Sequence, residues 1–378
     1  MKKIVFSIIL LVGFVVSLTA QDLKDVTIED IWKDYSFYSR TVNGLRSLND
    51  GANYTSLVRT KEGSNLVKYS YTDANKMEVL IDNSKLLMDG KVVGIDDYEF
   101  SSDESKVLIA SNTESIYRHS SKSDYYIYER SSQKLEKLSE GEQQMYATFS
   151  PKANKIAYVK SNNLFFKDLT INKEIQITTD GKKGAIINGA SDWVYEEELV
   201  LVKAFKWSPD GTKIAFYKFD ESEVKEWSLK YYDNLYPTEE RFKYPKAGEV
   251  NSKVEIYTYD VATQKTEKAN ITGDFEYIIR INWTNDSKGL SIQTMNRHQN
   301  NLKMHLVDIA TNTDKIIFEE SNEKYVEVPT TIFLTSKNQF LITSEKDGYN
   351  HMYLYDISGK LINQITKGNW EVTDIYGI

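Results

Sequence analysis

The sequence predicts an all-β protein with a β-propeller fold, and three observations support this prediction. Tyr, Phe and Trp make up 12% of the 378 residues, and such an aromatic content favours strands over helices. One hairpin pattern recurs along the chain at a period of about 50 residues. Four short strands fit into each period, which is typical of a propeller blade, whereas a β-sandwich gives no reason for the recurrence.

The recurring pattern consists of an aromatic or large apolar residue, a turn rich in Asp, Asn, Gly or Pro, and a β-branched strand. Its two clearest copies occupy residues 149–158 and 207–216. Six copies are recognisable, and they begin at Leu45, Phe100, Phe149, Trp207, Trp283 and Phe333. The start of a seventh, at Trp370-Glu371-Val372, stops after one strand. Because a propeller must close its ring to bury the strand edges, we expect the chain to be a piece of a longer protein.

The first 20 residues have the features of an export signal rather than of the propeller. Lys2 and Lys3 form a positively charged start, an apolar stretch covers residues 4–16, and small residues precede Gln21. The apolar stretch is short for a membrane-spanning helix, so the pattern favours a cleaved signal peptide over residues 1–20. Export of a chain without Cys predicts a protein of the bacterial envelope, most simply a periplasmic one.

The mature chain is predicted to have two parts. Residues 21–40 form a helical segment, with a short helix over residues 26–35 that places Ile28, Ile31 and Trp32 on one face. Residues 41–378 form the incomplete propeller.

Composition and missing motifs exclude several classes of function. The net charge of −8, with no basic stripe, argues against a nucleic-acid partner. The absence of Cys excludes a disulfide framework, a thiolate metal site and a cysteine nucleophile. No Gly-x-Ser-x-Gly nucleophile motif occurs, and the four histidines show neither a catalytic triad nor metal-ligand spacing: His119, His298, His305 and His351. We therefore predict no catalytic residue, no metal and no cofactor in this chain.

Two intervals between successive copies are long, and one of them contains a run of glutamates. The 58-residue interval holds Asp192–Leu199 and the 76-residue interval holds Glu221–Asn251, so both segments are expected in loops on one face of the propeller. The run Glu196-Glu197-Glu198 either faces solvent or binds a cation. Glu197 and Glu198 would diverge in a strand but can converge in a helical turn, which Ser191 or Asp192 would cap. Such a turn is a plausible ammonium site.

Three motifs together resemble the dipeptidyl peptidase IV family of serine exopeptidases. They are Asp192-Trp193-Val194-Tyr195-Glu196-Glu197-Glu198, then Trp207-Ser208-Pro209-Asp210-Gly211, then Tyr244-Pro245-Lys246-Ala247-Gly248-Glu249-Val250-Asn251. The similarity extends to residues 366–372 and so covers nearly all of the mature chain. The resemblance implies an eight-bladed N-terminal propeller and a C-terminal α/β-hydrolase domain that lies beyond residue 378. It also implies release of dipeptides with Pro or Ala as the second residue.

The resemblance also implies substrate-binding roles for three residues. Glu197 and Glu198 would hold the free α-ammonium of a peptide, and Arg118, in Arg118-His119-Ser120, would contact the carbonyl of its first residue. The Arg118 guanidinium would reduce the repulsion between the two carboxylates when the site is empty. Two carboxylates can accept charge-assisted hydrogen bonds from one ammonium group. Glu196 is left as a solvated or structural carboxylate.

Two hypotheses on function remain. The first is the substrate-selecting propeller of an exported dipeptidyl peptidase, whose partners are peptides with a free N-terminus and the missing hydrolase domain. The second is a stand-alone envelope propeller that acts as a binding or scaffold module without catalysis. Whether this protein counts as an enzyme stays open, because the catalytic half is absent from the chain. The resemblance leaves a homodimer of the full-length protein open as well.

Overall fold

The computed structural model describes residues 25–39, 44–61, 63–73, 75–334 and 337–377. The predicted signal peptide, residues 1–20, lies outside the described residues. The chain divides into two compact units, Met1–Arg46 and Ser47–Ile378.

The described part of the first unit contains one short helix, α1 (Ile28–Trp32). Thr27 caps it: the Thr27 hydroxyl accepts the Asp30 backbone N–H at 3.1 Å, and the Asp30 carboxylate accepts the Thr27 N–H at 3.1 Å. This reciprocal capping box fixes the start of the helix two residues later than the sequence pattern suggested. The helix is therefore present but shorter than the predicted span of residues 26–35.

In the rest of the described chain the regular secondary structure is almost entirely strand; the exceptions are a second helix, α2 (Trp193–Leu199), and a 3₁₀ turn at Asn83–Lys85. The first strands along the chain are β1 (Arg46–Ser47), β2 (Asn53–Arg59), β3 (Ser64–Ser70), β4 (Met77–Ile81), β5 (Leu87–Met88), β6 (Lys91–Val92), β7 (Asp97–Phe100), β8 (Lys106–Ser115), β9 (Ser121–Glu129), β10 (Lys134–Lys137), β11 (Met145–Phe149), β12 (Lys155–Lys160), β13 (Asn163–Asp168) and β14 (Lys173–Gln176). The remaining strands are β15 (Ile186–Asn188), β16 (Phe205–Trp207), β17 (Lys213–Asp220), β18 (Glu226–Tyr231), β19 (Thr238–Lys243), β20 (Lys253–Asp260), β21 (Lys265–Lys268), β22 (Tyr277–Trp283), β23 (Gly289–Met295), β24 (Asn301–Asp308), β25 (Thr313–Ser321), β26 (Thr331–Phe333), β27 (Gln339–Ser344), β28 (His351–Asp356) and β29 (Leu361–Gln364).

These strands form six antiparallel sheets in chain order, which are the six predicted propeller blades. Blades 1, 2, 3, 5 and 6 have four strands each: β1–β4, β7–β10, β11–β14, β22–β25 and β26–β29. Blade 4 has the order β15-β17-β20-β21, with β16 as a second partner of β17. Two small hairpins, β5–β6 and β18–β19, lie outside the blades. The all-β propeller fold predicted from the sequence is thus confirmed.

The repeated aromatic anchor has a physical role between blades. The Trp207 indole N–H donates to the Thr148 backbone carbonyl at 3.3 Å, and the Trp283 indole N–H donates to the Lys206 carbonyl at 3.1 Å. Each Trp therefore bonds to the first strand of the preceding blade, one residue before that blade's own anchor. This bond satisfies an indole N–H that is at least partly buried, and it places neighbouring first strands side by side.

The segment after β29 differs from the expected start of a seventh blade. Within the described residues, Trp370-Glu371-Val372 forms no strand. Val372 is hydrogen bonded instead to Asn350, its N–H donating to the Asn350 carbonyl at 2.8 Å and its carbonyl accepting the Asn350 side-chain amide at 2.8 Å. Trp370 packs edge-on against His351, with ring centroids 5.1 Å apart.

Blade 4 has a divided first strand, and this division positions the candidate site. Asn188 in β15 pairs with Lys218, and Phe205 in β16 pairs with Phe216, so both halves remain on β17. The chain between them leaves the sheet and forms α2. The prediction that the glutamate run belongs to an insertion rather than to a core strand is confirmed.

Candidate functional site

The helix α2 begins at a buried cap. The Asp192 carboxylate accepts the Tyr195 backbone N–H at 2.9 Å, and its other oxygen accepts the Ser252 hydroxyl at 2.6 Å. Burial raises the pKa of the Asp192 carboxyl above its usual value, because the charged form loses contact with water. The helix ends at Leu199, and the N–H of its C-cap residue Val200 bonds to the Tyr195 carbonyl. The left-handed backbone of Val200 (φ 49°) turns the chain so that the Leu201 N–H bonds to the same carbonyl at 3.0 Å. The capped helical turn expected from the sequence is present.

The inner side of α2 is fixed to the first strand of blade 5. Tyr195 and Leu199 are buried in the hydrophobic core shared by blades 4, 5 and 6. The Tyr195 hydroxyl accepts the Ile278 backbone N–H at 3.0 Å, and the Arg280 guanidinium donates to the Leu199 carbonyl at 2.7 Å. The helix therefore cannot rotate about its axis without breaking buried hydrogen bonds. This fixes the directions of its three glutamates.

The three consecutive glutamates lie in three different environments. Glu196 is buried, with 1% of its surface exposed, and one of its carboxylate oxygens accepts the backbone N–H groups of His119 at 2.7 Å and Ser120 at 2.9 Å. The side chain of Glu197 is 15% exposed and pairs with Arg118, whose Nε lies 3.2 Å from Glu197 Oε2. Glu198 is exposed, and no described cation lies within ion-pair distance of its carboxylate.

The structure thus brings two of the predicted residues into contact. Arg118 lies in the turn between β8 and β9 of blade 2, far from Glu197 in the sequence, and its side chain is 73% exposed. Glu196 holds this turn against α2 through the backbone of the two residues that follow Arg118. Sequence reasoning left Glu196 as a solvated or structural carboxylate. Its structural part is to connect the two sides of the site, a role that no sequence signal identifies.

Further acidic groups lie behind the site. Burial raises the pKa of the Glu221 carboxyl to about 7, and the nearby Asp192 carboxyl adds to this rise. Burial also raises the pKa of Tyr117 to about 12, assisted by the charges of Glu221, Glu240 and Glu196. The surroundings of α2 are therefore rich in acidic groups, which favour a cationic ligand over an anionic one.

His305 has the surroundings of a structural histidine. His305 is fully buried in blade 5, with Nδ1 2.9 Å from Asp314 Oδ2 and Nε2 3.1 Å from Thr294 Oγ1. The Asp314 carboxylate also accepts the Thr272 backbone N–H at 2.9 Å, so this chain of bonds ties the end of blade 4 to blade 5. A substrate cannot reach a group with no exposed surface.

The described residues contain no candidate metal site and no candidate membrane-spanning helix. Within them, no group of three or more His, Asp or Glu side chains is placed to hold a metal ion. Among the same residues, no helix has the length and apolarity needed to cross a membrane.

The fold and site define a class: a β-propeller whose fourth blade extends a short acidic helix toward an arginine of the second blade. The family described as "Dipeptidyl peptidase IV (DPP IV) N-terminal region" matches residues 101–378. The chain belongs to this family.

Individual relatives agree with the family. The chain is 30% identical to dipeptidyl aminopeptidase B of Saccharomyces cerevisiae, an alignment that covers 82% of this chain and 40% of the relative. It is 30% identical to dipeptidyl peptidase 4 of Felis catus, over 83% of this chain and 44% of that protein. The crystal structure of Porphyromonas gingivalis dipeptidyl peptidase 4 superposes with a TM-score of 0.85 at 37% identity, covering 94% of this chain and 51% of that one. The chain thus spans about half the length of these relatives, or less.

Proposed function

We propose that this chain is the substrate-selecting propeller of an exported dipeptidyl peptidase, and that Glu197, Glu198 and Arg118 bind the N-terminal residue of a peptide. The single observation that carries the proposal is the contact between Arg118 and Glu197, two surface groups from different blades held by a buried third residue, Glu196. A charge run that merely faced solvent would not need such support.

The chemistry follows from the charges. The α-ammonium of a peptide has three N–H donors, and carboxylates accept them in charge-assisted hydrogen bonds. Arg118 offsets the repulsion between Glu197 and Glu198 in the empty site, and its exposed N–H groups are available to a peptide carbonyl. Because the ammonium is held at a fixed place, only a bond at a fixed distance from it would meet a nucleophile, which selects dipeptide release.

The proposal has three further parts. A preference for Pro or Ala at the second position follows from the family resemblance, as does a hydrolase domain that would supply the nucleophile. Export to the periplasm follows from the pattern of residues 1–20.

The amine-binding role can be tested on the 378-residue chain itself. A tripeptide with Pro at the second position is titrated into the isotopically labelled protein, followed by NMR, and compared with its N-acetylated form. Because a hydrogen bond to a charged group contributes about 1.5–3 kcal/mol, we expect the free-amine peptide to bind about 10- to 100-fold more tightly. Glu197→Gln and Glu198→Gln should each remove most of this difference.

The control makes the same Glu→Gln substitution at a surface position away from the site. Glu323 is a similar surface glutamate, 81% exposed and paired only with its neighbour Lys324, so Glu323→Gln should leave both affinities unchanged. Equal affinities of the wild-type chain for the free and the acetylated peptide would refute the amine-binding assignment and favour the scaffold alternative.

A further inference from the structure

The second long insertion, Glu221–Ser252, contains none of the three residues assigned to amine binding. It leaves blade 4 after β17 and returns at β20, and its strands β18 and β19 pair with each other and with no blade strand. Its outer end is exposed, with 74%, 92% and 82% of Tyr232, Leu235 and Tyr236 accessible. Blade 4 retains the full ladder β15-β17-β20-β21 without it. The hairpin is therefore not needed to complete the blade.

The base of this hairpin contacts both sides of the site through aromatic side chains. Tyr244 packs on Trp193 with ring centroids 4.4 Å apart, and Phe242 lies 6.2 Å from Trp193 and 5.7 Å from Tyr117. Trp193 is the first residue of α2 and lies one helical turn before Glu197. Tyr117 directly precedes Arg118. The two members of the Arg118–Glu197 pair are thus each attached to the hairpin base.

The segment that returns from the hairpin, Tyr244–Ser252, extends these contacts around the start of α2. Ser252 donates to the Asp192 cap at 2.6 Å. Asn251 donates to the Glu276 carboxylate at 2.7 Å and to the Tyr277 hydroxyl at 3.1 Å. Tyr277 is the first residue of β22 in blade 5, and Glu276 directly precedes it. The segment therefore links the cap of α2 with the strand on which α2 rests.

We propose that Phe242, Tyr244 and Ser252 are positioning residues, which set α2 and the Arg118 turn at the spacing that binds a peptide ammonium. The inference rests on the proposed amine-binding function and adds the insertion to it. None of the three residues need touch the ligand. They act by fixing Trp193, Tyr117 and Asp192, which hold the residues of the site.

The test compares matched substitutions in the 378-residue chain. Tyr244→Leu removes the ring that packs on Trp193, whereas Tyr244→Phe keeps it, so we expect the first to weaken free-amine tripeptide binding about 5- to 20-fold and the second to leave it unchanged. The N-acetylated peptide should bind all variants equally. Tyr236→Leu, at the exposed end of the hairpin, is the control and should bind as wild type does. Wild-type affinity in a folded Tyr244→Leu protein would overturn the proposal.

A second measurement separates this inference from the amine-binding proposal. Amide hydrogen exchange of His119 and Ser120, which bond to Glu196, should be at least 10-fold faster in Tyr244→Leu, while exchange in blades 5 and 6 stays unchanged. If the wild-type chain does not bind the free-amine peptide more tightly than the acetylated one, the amine-binding proposal fails. The positioning role is then tested by the exchange rates of the His119 and Ser120 amides alone. Unchanged exchange, or faster exchange in every blade, would refute it.

A Tyr244→Leu protein that does not fold would move the test to Ser252. Ser252→Ala removes the hydrogen bond to the Asp192 cap, and Ser252→Thr keeps a hydroxyl at the same place. The first should show the same loss of affinity and the same local exchange, and the second should restore both. Identical behaviour of the two variants would again contradict the positioning role.

Discussion

Blades 4 and 5 share one sequence pattern but differ in the segments that are inserted between their strands. Both have a Trp anchor followed by a hydroxyl–carboxylate turn, in which Ser208 bonds to Asp210 at 2.6 Å and Thr284 bonds to Asp286 at 2.7 Å. Blade 5 adds nothing to its four strands, and all seven residues of β23 are buried. Blade 4 adds α2 and a hairpin. Since blade 5 shows what a blade needs, the additional parts of blade 4 are free to serve a function other than completing the blade.

The buried carboxyl groups also differ between the two blades. In blade 5, the Asp314 carboxylate is 2% exposed and bonds to His305 and Thr272, which joins neighbouring blades. In the blade 4 insertions, Asp192, Glu196 and Glu221 are buried around α2. A buried charge is costly unless it is well bonded, so each one marks a place where position matters. In blade 5 the position serves packing, and in blade 4 it serves a site.

The largest expected effect comes from removing one buried carboxylate from each blade. Glu196→Ala and Asp314→Ala each leave buried donors without an acceptor, and each should lower the free energy of unfolding by about 2–5 kcal/mol in urea denaturation. Only Glu196→Ala should abolish free-amine peptide binding, because Glu196 bonds to the Arg118 turn and Asp314 lies in the packing between blades 4 and 5. If Asp314→Ala also removed binding from the folded protein, the division of roles between the blades would be wrong.

A smaller effect is expected from pH. The Glu221 pKa is raised to about 7 in the folded chain, against an ordinary value near 4.5, so the folded protein binds an additional proton between these values. The contribution of this group to the free energy of unfolding is fully present below about pH 4.5. It is lost as the pH rises through 7, a decrease of about 3 kcal/mol. Glu221→Gln should flatten this decline in urea denaturation at pH 5 and pH 8. A decline of the same size in Glu221→Gln would assign it to other groups.

The smallest expected effect comes from substitution of the Trp anchors, and its size should be the same in the two blades. Trp207→Phe and Trp283→Phe each remove one indole hydrogen bond to a preceding first strand, and each should lower the free energy of unfolding by about 1 kcal/mol. Neither should change peptide affinity, since the anchors belong to the pattern that the blades share. A clear loss of affinity in Trp207→Phe alone would show that the anchor of blade 4 also supports the site.

Much of the fold was predictable because its signal is repeated. A turn pattern that recurs at Phe100, Phe149, Trp207 and Trp283 carries the same information several times, and each copy gave a blade. The short α1 was predicted with the wrong start, since Thr27 caps it through a box with Asp30 that the apolar pattern does not include.

The site was predictable only in part, because its contacts join distant parts of the chain. The capped turn of α2 is local and follows from Asp192 and the residues after it. The bonds from Glu196 to His119 and Ser120, and from Ser252 to Asp192, depend on the packing of blade 2 and of the hairpin against α2. Glu196 and Ser252 look like ordinary polar residues in the sequence, and only the fold gives them partners.

The divided first strand of blade 4 has a consequence for how such a site can change. On β17, Tyr217 alone separates the partners of β15 and β16, and its backbone N–H and carbonyl bond to Ala204 at 2.9 Å and Gly189 at 3.0 Å. Gly189 and Ala204 also bond to each other at 3.0 Å, which closes the excursion at its base. Gly189 has a φ of +77°, which L side chains rarely adopt, and a Cβ there would lie 3.0 Å from a Val159 methyl group, so the closure favours glycine. The segment between these two residues can therefore change in length while the strands of blade 4 keep their register. Blade 4 can thus acquire a different inserted segment, and with it a different binding surface, without a change of fold.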